Sequence, residues 1–97
     1  MDPVEIFRGA KEALAKRGHT KEGYFVDGCV CVVGACAAAA GFTSDLTDGF
    51  PAFENSIKPF LAGAAGGEPT VWNDRPETTV DDVQALLDRA IALAEGK

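Results

Sequence analysis

Three cysteines, one histidine and a short turn carrying an acid and an amide are the parts of this 97-residue chain whose types could do chemistry. Cys31 is the most pointed of them. The run Cys31-Val32-Val33-Gly34-Ala35-Cys36, with the four alanines after it, reads as a helix beginning near Cys31. A cysteine in a first helical turn meets unpaired N–H groups and the positive end of the dipole, which together favour the thiolate. A nucleophile also wants a base and a group to orient it. His19 is the only histidine, and Asp27, Asn73 and Asp74 are the possible orienting groups, so Cys31, His19 and Asp74 form a loose catalytic set suited to acyl transfer. Against it stands plain packing: buried cysteine behaves as a small apolar residue, and the neighbours here are Val, Val, Gly and Ala. Packing outweighs catalysis on that composition. His19, after Gly18 at a helix end, reads as a solvent-exposed residue near the dipole.

The same residues could be tried as metal ligands. Cys29, Cys31, Cys36 and His19 number four, as a structural zinc requires, but the Cys-x2-Cys knuckle is missing. Cys31 and Cys36, five residues apart on one helix, project about 140 degrees apart. No metal and no cofactor is expected. The third feature is the stretch Trp72-Asn73-Asp74-Arg75 followed by Pro76-Glu77-Thr78-Thr79, which holds the only tryptophan. As a binding surface it offers Trp72, Asn73, Asp74 and Arg75, residues of the kind that dominate interface energetics. As structure, Trp72 plugs the core while Asn73 or Asp74 bonds turn amides and Thr79 caps the next helix. The structural role is favoured.

Composition narrows the classes of partner. The chain carries 15 acidic and 9 basic residues, for a net charge of −6. No basic stripe with interleaved aromatics exists, so nucleic-acid binding, which needs several Lys or Arg contacts to phosphate, is not expected. The longest uncharged run, residues 28 to 44, is too short and too rich in Gly and Ala for the roughly 20 apolar residues of a membrane span. An odd cysteine count behind an amphipathic, charged N-terminal segment suggests a reduced, cytoplasmic setting. Partners are then another protein or a second copy of the chain.

These residues must be positioned by helices. Asp2, Pro3 and Glu5 have the layout of an N-cap, a first-turn proline and a capping-box acid, and Val4, Phe7, Ala10 and Leu14 recur at helical spacing, so a helix is expected over 3–17. Asp27-Gly28 between Tyr24-Phe25-Val26 and Cys29-Val30-Cys31 is a hairpin signal, although an isolated two-stranded hairpin is marginal. The run from Cys31 to Ala40 has no polar face and is expected to be a buried helix closed by Gly41. Gly34-x3-Ala38 and Ala35-x3-Ala39 permit close helix crossing, within the fold or across a dimer interface. Residues 42 to 51 read as loop and Pro51 to Ala62 as a helix that Pro59 must kink or split. The Gly/Ala-rich 62 to 67 segment reads as a flexible exit. Val80, Val83, Leu87, Ala90, Ile91 and Ala94 mark a last helix, capped by Thr79 with Asp82 and ended by Gly96. The expected fold is a single all-α domain over 1–97. About four helices pack around the buried Ala/Gly-rich one, with a possible short hairpin near residues 24–31.

Two stretches together carry a resemblance: Asp27-Gly28 followed by Cys31-Val32-Val33-Gly34-Ala35, and Trp72-Asn73-Asp74-x-Pro76-x-Thr78 leading into the terminal helix. The pair resembles a small family of uncharacterised domains encoded by actinobacteria and their phages, over about residues 4 to 95. The resemblance implies origin and helical architecture, and no activity. The expected function is a non-enzymatic one, exercised through protein contacts by an accessory protein that modulates a host partner. The alternative is a thiol-dependent enzyme or small-ligand binder centred on Cys31.

Overall fold

The computed structural model describes residues 2–44 and 46–96. Among the described residues five helices and one two-stranded hairpin make up a predominantly all-α fold. Helix α1 (Pro3–Arg17) starts where a side-chain cap ends the extended chain: Asp2 Oδ1 accepts the Val4 N–H at 2.9 Å, with Pro3 beside it, having no N–H, needing no acceptor. Its stripe of Val4, Ile6, Phe7, Ala10 and Leu14 is buried, as the helical spacing requires.

The hairpin forms at Asp27-Gly28. Strands β1 (Phe25–Val26) and β2 (Cys29–Val30) pair antiparallel, Phe25 with Val30 and Val26 with Cys29. Asp27 and Gly28 both take positive φ, 52° and 83°, which a tight hairpin turn of this hand demands and which this dipeptide tolerates best. Two residues a side would be marginal in isolation. The chain leaving α1 supplies the missing partner: Val30 N–H donates to Gly18 O and Thr20 N–H donates to Val30 O, both at 3.0 Å, making His19 a third, parallel neighbour.

Helix α2 (Val32–Ala39) is the buried helix, with Val32 through Ala37 all buried. It packs chiefly on α1, where a Cβ added to Gly9 would lie 2.8 Å from Ala39 Cβ, so part of the small-residue pattern does serve a helix crossing. Gly34 serves something else: a Cβ there would fall 2.0 Å from the Tyr24 carbonyl oxygen, so the missing side chain admits a loop, not a helix.

Helix α3 (Phe50–Ala65) decides between two alternatives and corrects one expectation. It runs through Pro59 as one helix and does not split there; Pro59 and Asn55, whose carbonyl loses its helical donor, are both exposed, so the orphan acceptor faces solvent. Residues 62 to 65 continue the helix instead of forming a flexible exit, and Gly66 in the left-handed region ends it, its N–H donating to Ala62 O at 2.8 Å. Phe50 and Phe53 meet Phe42 edge-on and tilted, respectively.

Helix α4 (Pro69–Asp74) is a fifth helix where a turn was expected. Helix α5 (Val80–Ala94) follows a complete capping box, Thr79 accepting from Asp82 N–H and Asp82 accepting from Thr79 N–H. It packs on α1 and α3 through Val83, Leu86, Leu87 and Ala90. Among the described residues no helix is long and apolar enough to cross a membrane.

Candidate functional site

The chemistry-bearing residues gather where the N-terminal end of α2 meets the 18–31 connector and α4. Asn73 is the hub. It is fully buried on α4 and reaches across more than forty residues of sequence in two directions. Its Oδ1 accepts the Val32 N–H at 3.1 Å, and its Nδ2 donates to Thr20 O at 3.0 Å and to Asp74 Oδ1 at 3.0 Å. The backbone partners fix which end of the amide is oxygen. His19 Nε2, 2.8 Å from that same Oδ1, therefore carries a proton and donates. In its neutral form His19 keeps its lone pair on Nδ1. All four hydrogen-bonding sites of the Asn73 amide are used, binding the first turn of α2, the connector and α4 into one unit.

Asp74 continues the clamp outward, its Oδ1 accepting the Glu22 N–H at 2.9 Å. Lys21 adds its ammonium to the carbonyls of Arg75 and Pro76, the latter at 3.2 Å. Behind Trp72, the Thr78 hydroxyl donates to Trp72 O at 2.8 Å and holds the chain for its turn into α5.

Cys31 sits one residue before the helical turn in which it was expected, as the N-cap of α2, and its Sγ accepts the Gly34 N–H at 3.3 Å. The expectation of a depressed pKa is reversed. Burial outweighs the backbone donors and the nearby Asp74 charge adds to it, so the thiol is pushed from 9.0 up to about 11. Cys36, wholly buried, is also pushed up by burial. Cys31 is a thiol at neutral pH, and among the described residues no hydrogen bond joins it to His19, whose ring is engaged by Asn73.

All three cysteines are free, and Cys29 is the most accessible. At pH 7.5, iodoacetamide is expected to modify Cys29 first and to leave Cys31 and Cys36 unlabelled until the protein unfolds; mass mapping of the alkylated cysteines checks this. Because Cys31 ionises near 9 when unfolded and near 11 when folded, its ionisation favours the unfolded chain. Stability is thus expected to fall as pH rises from about 9 through 11, read by denaturant titration across that window. Rapid labelling of native Cys31 at neutral pH would contradict both statements.

Beside this clamp lies an open cleft of about 260 Å³ lined by Gly23, Tyr24, Cys31, Thr70 and Asp74. Thr70 and Asp74 are one helical turn apart on α4 and so share a face, while Tyr24, its hydroxyl donating to Glu54 at 2.6 Å, is anchored on the opposite side of the chain to α3. Val71, 61% exposed, stands next to Thr70 on the same helix. A second cleft of about 250 Å³ takes Trp72 and Arg75, together with Glu77, Asp82 and Arg89.

The residues read from sequence as one binding surface are therefore divided: Asn73 is inside, Asp74 lines the first cleft, and Trp72 and Arg75 line the second. Cys31, His19 and Asp74 do converge on one neighbourhood, but through Asn73. Tyr24 and Thr70 escaped the sequence reading; Pro69 after Glu68, a helix start, and the Thr70-x3-Asp74 spacing were the available signals. Among the described residues no group of three or more His, Cys, Asp or Glu side chains is placed to hold a metal ion.

A family profile described as a family of unknown function matches residues 1–93. No curated protein and no solved structure matches the chain.

Proposed function

The chain belongs to that family of unknown function, DUF6197, and from the geometry of its first cleft we propose a small non-enzymatic binding protein that engages another protein through the face made by the connector and α4. The observation that carries this reading is the cleft itself. It is open, built on elements locked together by Asn73, and flanked by the exposed Val71. A rigid recess beside an exposed apolar side chain is what a partner's anchoring residue uses. The competing reading, a thiol-dependent enzyme centred on Cys31, draws no support from a thiol that ionises near pH 11. The motifs over 27–35 and 72–78 favour an origin in actinobacteria or their phages, with a host protein as the partner. Three free cysteines suit a reducing, cytoplasmic setting.

Photo-crosslinking tests the face. A photoreactive residue at Val71 is expected to trap one protein from an actinobacterial lysate, in competition with unlabelled chain. The same residue at Glu12, on the exposed side of α1, is expected to trap none. Equal trapping from both positions would remove the α4 face, and turnover of any substrate abolished by Cys31→Ala would remove the non-enzymatic reading.

A further inference from the structure

Five residues line the first cleft, and Asp74 is the only charged one among them. Its carboxylate is half committed. Oδ1 accepts from Glu22 N–H and Asn73 Nδ2, whereas Oδ2 has no hydrogen bond and no Lys, Arg or His lies within ion-pair distance, among the described residues. The nearby cations are spent elsewhere: the Lys21 ammonium is turned to the carbonyls of Arg75 and Pro76, and Arg75 lines the second cleft. Thr70, on the same wall, donates its hydroxyl proton to Glu68 at 3.2 Å and keeps oxygen lone pairs to accept with.

An anion would need donors, and those at the start of α2 are taken. Val32 N–H goes to Asn73 Oδ1 and Gly34 N–H to Cys31 Sγ. Among the described residues the cleft thus offers the Asp74 charge and the Thr70 oxygen as acceptors, with no lysine, arginine or histidine in its lining. Its volume of about 260 Å³ lies below the roughly 300–1,000 Å³ typical of pockets for drug-sized ligands and suits one long side chain.

Resting on the contact face argued above, we propose that the cleft receives the cationic head of an arginine or lysine side chain of the partner protein, paired with the Asp74 carboxylate. The guanidinium or ammonium donates to Asp74 Oδ2 and Thr70 Oγ1, and its methylene stem lies along the Tyr24 wall. In a recess part-shielded from water such a charge-assisted pair is stronger than an exposed ion pair.

The test is a titration of the ¹⁵N-labelled protein, followed by NMR, with N-acetyl-arginine methylamide and its neutral isostere N-acetyl-citrulline methylamide. Saturable shifts confined to the amides of Gly23, Cys31, Thr70 and Asp74 are expected for the arginine compound, with the citrulline compound at least tenfold weaker. Asp74→Asn keeps an oxygen for Glu22 and Asn73, and it is expected to weaken arginine binding at least tenfold and to erase the preference. Thr70→Arg, which puts a guanidinium on the same wall while leaving the clamp untouched, is expected to block binding as well. Equal affinity for both compounds, unchanged binding in the variants, or no shifts at the cleft would each overturn the cation. Equal affinity at the cleft would still leave the contact face standing, since that face stands or falls on the crosslinking yield at Val71 against Glu12.

Discussion

Asn73→Ala is expected to lower the unfolding free energy by about 3–5 kcal/mol, an unusually large loss for a single polar side chain. The size follows from what is left behind. With the amide gone, the Val32 N–H, the Thr20 carbonyl and the His19 Nε2–H lose their partners, in a place where Asn73 itself has no exposure. An unpaired buried polar group costs roughly 1–3 kcal/mol, and at least the Val32 N–H, on a fully buried residue, has no access to water in exchange. Asn73→Asp is expected to be comparably damaging, because it replaces the Nδ2 donor with an acceptor facing Thr20 O and the Asp74 carboxylate. Asp74→Asn, which keeps its accepting oxygen, is expected to cost less than about 1 kcal/mol. Denaturant unfolding of the three variants measures the differences, and hydrogen exchange at Val32 and Thr20 locates them. A loss under 1 kcal/mol for Asn73→Ala would mean that the connector and α2 hold together without the clamp.

Gly34→Ala carries the second large effect. In most helix interiors this exchange is favourable by about 1 kcal/mol, since alanine is the better helix former. Here the new Cβ would lie 2.0 Å from the Tyr24 carbonyl oxygen and 2.8 Å from its carbon, both backbone atoms with no rotamer to escape through. Either the connector lifts, breaking the Cys31 N–H bond to Tyr24 O at 3.2 Å, or α2 shifts out of its seat on α1. A destabilisation of about 3 kcal/mol is expected, at the upper end for overpacking. That corresponds to a fall in Tm of roughly 12–24 °C for a chain of this length. Because the collision is with the segment that also supplies Gly23 and Tyr24 to the cleft, the variant is expected to disturb the cleft amides before the remainder of the core. Thermal unfolding and an amide spectrum check both parts, and a Tm at or above that of the parent chain would refute the close approach.

Helices α1 and α5 were legible in full. Each carries its own start signal, Asp2-Pro3 and Thr79 with Asp82, and a buried stripe long enough for the period to show. The Asp27-Gly28 hairpin was legible as a turn because its requirement, two positive φ values, is a property of two adjacent residues. Helix α2 was legible as buried because no side of it is polar. Helix α4 was not, since six residues are too few for a period and its propensity is overridden by what it packs on. The end of α3 was misread for a related reason: Gly and Ala between 62 and 67 satisfy both a hinge and a closely packed helix end, and Gly63, whose added Cβ would sit 3.1 Å from Leu93, belongs to the second.

Local sequence decides what depends on neighbours one turn away: caps, tight turns, periodic faces, and hence an all-α chain with one apolar helix at its centre. Tertiary structure alone decides the direction in which the Cys31 pKa moves, the tautomer of His19 and the reach of Asn73. The dipole that favours a thiolate at Cys31 is a local effect, but desolvation is not, and burial pushes the thiol to about 11. The proton on His19 Nε2 is placed by an amide 54 residues away. The same amide bonds Val32, 41 residues away, and such pairings carry no signature in spacing, because the partners become neighbours only after α4 has folded back onto the start of α2.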